Sequence, residues 1–89
     1  MNNLINISDN MYLYPIKVTG ANNITKTLIV KIIFDNDFVI IEIWNIDDNE
    51  RPKKMLFRED YNKNNFNFIY VLTALNVPTI EIIHRLTNE

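Results

Sequence analysis

A chain of 89 residues with nine basic and eleven acidic side chains, a net charge of -2 and no cysteine has room for one core. It builds that core without disulfides, thiolate metal sites or a cysteine nucleophile. The basic residues are scattered, which disfavours a nucleic-acid partner, and no apolar run approaches the roughly 18 residues of a membrane span. The opening MNNLINISDN lacks the basic start and apolar centre of a secretory leader, so the expectation is a soluble cytoplasmic protein of one domain, residues 1–89. Asparagine and isoleucine occur 15 times each while glycine and serine occur once. Both favoured residues have A/T-rich codons, which suggests a bacterial, phage or mobile-element source and, if phage, a host-cytoplasm location.

Residues 1–10 are polar apart from Met1, Leu4, Ile5 and Ile7 and read as a flexible lead-in. Met11 to Thr19 alternates so that Tyr12, Tyr14, Ile16 and Val18 share a face, and Pro15, which has no N–H to donate, predicts an edge strand. Gly20, Ala21, Asn22 and Asn23 form a turn. The next two runs, TLIVKIIF and FVIIEIW, flank Asp35, Asn36 and Asp37 and predict a β-hairpin from Thr27 to Trp44.

Register decides what this hairpin does, because strand side chains alternate between faces and a one-residue slip moves all of them across. Pairing Phe34 with Asp37, or Ile33 with Phe38, puts Leu28, Val30, Ile32 and Phe34 on one face with Val39, Ile41 and Ile43. That face is wholly apolar. The opposite face then holds Ile29, Lys31, Ile33, Phe38, Ile40, Glu42 and Trp44, with Lys31 and Glu42 meeting diagonally. Pairing Phe34 with Phe38 leaves neither face free of charge, so the first register is preferred.

The stretch DDNERP breaks regular structure, and Lys53 to Arg58 reads as a fourth strand. Asp60 suits a helix N-cap, and Phe68, Ile69, Leu72 and Leu75 cluster on one side of a helix ending near Asn76, although FNFIYV also has strand character. After Pro78, TIEIIHRL predicts a short final helix or strand, with helix preferred. The expected fold is α+β: a small antiparallel sheet of three to four strands, mostly meander, packed by one C-terminal helix plus a short final element.

Chemistry-bearing constellations are sparse. His84 is the single histidine, and Glu81 three residues earlier could share a helical surface with it. Without a nucleophile or further ligands that pair reads as helix-end electrostatics. Asp47, Asp48, Asn49 and Glu50 lack the alternation and glycine of a calcium loop, and Asp35 and Asp37 are ordinary turn residues. One glycine cannot make a phosphate cradle, and Ser8 has no histidine nearby. The expectations are therefore no enzyme activity, no metal and no cofactor. ALNVPTIEIIHRL distantly resembles a helix-turn-helix, but lacks the glycine in the turn and carries Glu81 towards any phosphate.

What remains is the mixed face of Ile29, Lys31, Ile33, Phe38, Ile40, Glu42 and Trp44, aromatic and aliphatic anchors around a few charges, as at binding hot spots. It predicts a small binding protein, of which a phage-type inhibitor of a host or defence protein is one form, acting by surface occupation through a protein partner or as a homodimer. The competing expectation is that the chain's own ends cover this face as core. A different class is a small-ligand binding or sequestering dimer whose interface holds a nucleotide-like molecule between tyrosines and charged residues, with Tyr12, Tyr14, Tyr61, Tyr70 and Trp44 as possible stacking surfaces.

Overall fold

The computed structural model describes residues 4–49 and 51–88. They form one antiparallel meander, β1 (Ile5–Ser8), β2 (Met11–Thr19), β3 (Thr25–Asp35), β4 (Phe38–Ile46) and β5 (Pro52–Asn62), in the spatial order β1-β2-β3-β4-β5. Two helices follow, α1 (Asn67–Ala74) and α2 (Ile80–Thr87). The α+β class stands, but the sheet has five strands instead of three to four, and two helices of equal length replace one helix and a minor element. No described helix is long and apolar enough to cross a membrane.

The central hairpin turns on two residues. Asp35 opposes Phe38, Asn36 takes a φ of 52° and every later pair follows in step, Phe34 with Val39, Ile32 with Ile41 and Val30 with Ile43. Asparagine tolerates this left-handed conformation better than other residues with a Cβ. The register is thus two residues away from the expected one. The two-residue period leaves every side chain on its expected face, and Lys31 opposes Glu42 directly instead of diagonally.

The inner face is the core. Val30, Ile32, Phe34, Val39 and Ile41 pack with Tyr12 and Ile16 of β2, Phe68 and Leu72 of α1, Val77, and Ile82 of α2. Burying each large aliphatic or aromatic side chain contributes about 1.5–3 kcal/mol before conformational entropy is charged. Arg85 fastens α2 over this end: its guanidinium lies 4.3 Å from the centre of the Phe34 ring and donates to the Asp9 carbonyl.

Three expectations are corrected. Ile5–Ser8 is a strand, not a loose lead-in, pairing Ile5 with Leu13 and Asn6 with Tyr12, while Leu4 enters the core; residues 1–3 lie outside the described chain. β2 is therefore not an edge strand, yet Pro15 is accommodated. The Phe34 N–H bonds the Asn10 carbonyl, so by alternation the even residues of β2 bond β3 and the odd ones face β1. Among the described residues the last pair on this side is Ile5 with Leu13, two residues short of Pro15, so none of them requires the missing N–H.

The third correction concerns Asp60, which is not a helix cap. β5 runs to Asn62, and α1 begins only at Asn67. Asparagines between them compete with helix by capturing backbone amides: Asn62 Oδ1 accepts from Asn64 N–H at 2.9 Å and Asn65 Oδ1 from Asn67 N–H at 3.2 Å. Beyond Ala74 the helix is closed by Asn76, whose φ is 60°, with Val77 N–H bonding the Leu72 carbonyl and Asn76 N–H that of Thr73. This is a Schellman closure, and Val77 is buried with Leu72 beneath it.

Phe68→Ala should cost about 3–5 kcal/mol in urea unfolding, whereas Tyr70→Ala, on the exposed side of the same helix, should stay within about 0.5 kcal/mol. The Tyr61 hydroxyl is raised above the ordinary 10.0, first by burial and then by its bond to Glu59 and that carboxylate's charge. The folded state therefore favours the protonated phenol. Its contribution to stability is complete below about pH 10 and falls as pH rises through the raised folded value. Unfolding measured across that range should show the decline, and Tyr61→Phe should remove its share.

Candidate functional site

Both helices pack on the inner face, and no described element covers the outer face of the sheet, where Ile40 is buried among its neighbours, Ile29, Lys31, Ile33, Glu42 and Trp44 are half-buried and Phe38 is exposed. All seven residues expected there are present. Register arranges them in rows across the strands. Lys31 of β3, Glu42 of β4 and Arg58 of β5 form a charged row. One step along, Pro15, Ile29, Trp44 and Met55 form an apolar row. On the other side Met11, Ile33 and Ile40 form a second apolar row that ends at Asp60. Phe38, opposite Asp35, stands at the hairpin end and is 47% exposed.

Glu42 organises the charged row. Its side chain is only 13% exposed, and it accepts the Trp44 indole N–H at 2.9 Å, with Arg58 Nε at 3.4 Å and Lys31 Nζ at 4.0 Å. Arg58 also reaches Asp60 at 3.5 Å. Lys31 Nζ lies 5.9 Å from the centre of the Trp44 ring, so the indole is held by its edge through Glu42 and by its face through the ammonium. A carboxylate this enclosed needs such partners, because desolvating an unpaired charge is costly. The indole is thus held in the sheet face by contacts at both its edge and its ring face.

Arg58 and Asp60 belong to this face and were not expected on it. Arg58 closes the expected strand and Asp60 lies beyond it as a cap; the signal for both is the alternation of Phe57 and Tyr61 with Arg58 and Asp60. Elsewhere the candidates do not converge. Asp47 Oδ1 accepts the Asn49 and Arg51 N–H groups at 2.9 Å each, which makes it a turn-closing group. Among the described residues, no group of three or more histidine and carboxylate side chains could hold a metal ion. Glu81 and His84 are both exposed on α2. Arg85, the second basic residue of the helix-turn-helix resemblance, lies over the Phe34 ring on the inner side. Tyr12 is buried in the core with Tyr14 and Tyr61 packed against it, Tyr70 is exposed on α1 and Trp44 is on the opposite face of the sheet, so within one chain these rings enclose no common ligand site.

Compared with protein-family models, curated proteins and solved structures, the chain finds no match in any of the three. Glu42→Ala should cost about 1–3 kcal/mol in urea unfolding, because it strands two cations and an indole N–H at once, whereas Lys31→Ala should cost no more than about 1 kcal/mol. Trp44 fluorescence should shift to the red in Glu42→Ala as the indole loses its anchor.

Proposed function

We propose that this is a small, non-enzymatic cytoplasmic binding protein that acts by occupying a surface of another protein through its outer sheet face. The observation that carries the reading is the uncovered face itself: Ile29, Ile33, Phe38 and Trp44 stand around a charged row that is already paired within the chain. Pre-paired charges need no counter-charge from the partner at the centre, and a held indole loses little conformational freedom on binding. Aromatic anchors in such surroundings supply most of the affinity at protein interfaces.

The partner proposed is a protein different from the chain itself, a homodimer through the same face being the competing outcome. The abundance of asparagine and isoleucine, residues with A/T-rich codons, supports a bacterial, phage or mobile-element source. In that setting the protein serves as an inhibitor that blocks a contact surface of a host or defence protein.

Native mass spectrometry of the protein isolated from its own host should show a second, different polypeptide in fixed stoichiometry. The Phe38→Ala/Trp44→Ala double variant should keep its fold by circular dichroism and bind that polypeptide about 30-fold more weakly or worse. A protein recovered alone or only as a homodimer, or a double variant that binds unchanged, contradicts the proposal.

A further inference from the structure

The helix layer does not reach the whole inner face. It covers the sheet as far as Ile16 and Val30; beyond them, at the end carrying the turn between β2 and β3, lies an open groove of about 430 Å³. Its aliphatic lining includes Val18, Ile24, Leu28 and Leu56, of which Val18, Ile24 and Leu56 are 45%, 58% and 50% exposed.

Two local irregularities aim these side chains. Ile43 opposes Phe57, but Trp44 opposes Met55, so Leu56 is the extra residue of a bulge. In unbroken register Leu56 would stand opposite Trp44 on the outer face; the bulge turns it into the groove instead. On the other wall, the Gly20 N–H bonds the Ile24 carbonyl at 2.9 Å and Asn23 takes a φ of 59°, folding the turn so that Ile24 borders the same space.

The volume falls within the range of about 300–1,000 Å³ typical of small-molecule sites. No aromatic ring lines the groove, which excludes stacking, and Lys26 is the one charged residue in its lining. Lys26 makes no salt bridge among the described residues. We infer that this groove binds a free straight-chain aliphatic carboxylate, its alkyl chain along Val18, Leu28 and Leu56 and its carboxylate at the Lys26 ammonium. The site is separate from the outer face, and its test is independent of any protein partner.

Methyl-labelled protein titrated with sodium decanoate below its aggregation threshold should give saturable, one-to-one shifts at Val18, Ile24, Leu28 and Leu56. Leu56→Ser should weaken binding about tenfold. Lys26→Gln should lower decanoate affinity to that of decanol and leave decanol binding unchanged, while Trp44→Ala should alter neither. Shifts that never saturate, or that map to the outer face, overturn the site. Equal affinity of the unaltered protein for decanoate and decanol overturns the charged head. Co-sedimentation with phosphatidylglycerol vesicles in place of decanoate binding overturns the free acid as ligand.

Discussion

The turn at Asn36 and Asp37 is the constraint on which the other features depend. With Asn36 in the left-handed region and Asp35 opposite Phe38, the hairpin has one register, and that register sorts the side chains of β3 and β4 between two surfaces. The neighbouring strands lock to the same end. The Phe34 N–H bonds the Asn10 carbonyl on one side and the Lys63 N–H bonds the Asp37 carbonyl on the other. β2 and β5 thereby inherit the division into faces. A slip of one residue would put Lys31 and Glu42 on opposite faces and drive a charge into the core.

This explains what could be read from the sequence and what could not. A two-residue period leaves the faces the same whether Phe34 opposes Asp37 or Val39, so the seven outer-face residues were legible although the register was not. The turn itself decides between those alternatives, and three consecutive polar residues give little to choose from. β1 was illegible because four residues with only two apolar side chains make almost no pattern, and its stability comes from pairing with β2. The end of β5 was misread because Glu59 and Asp60 suit a helix start as well as an exposed strand. The groove was illegible for a different reason: a bulge cannot be seen in alternation, and Leu56 counts as an outer-face residue until its extra position is known.

The edges of the sheet bear on how the protein meets other molecules. An exposed strand edge invites pairing with another chain, and both edges here are blunted. β5 has two register breaks and carries Lys53, Lys54, Arg58, Glu59 and Asp60. The other edge is a four-residue strand followed by the stretch of β2 where Pro15 withholds an N–H. Among the described residues, strand addition is discouraged at both edges. The outer face presents rigid aromatic and aliphatic groups around neutralised charge; the inner groove presents alkyl surface beside a lysine.

The division into faces is tested most directly by cross-strand Hα–Hα nuclear Overhauser effects. Lys63 bonding Asp37 makes the odd residues of β4 hydrogen-bond β5, so Val39, Ile41 and Ile43 form the close, non-hydrogen-bonded pairs with β3. Strong effects are predicted between Ile32 and Ile41 and between Val30 and Ile43. Effects between Ile32 and Val39 and between Val30 and Ile41 would place the hairpin in the other register and contradict the arrangement of rows on the outer face.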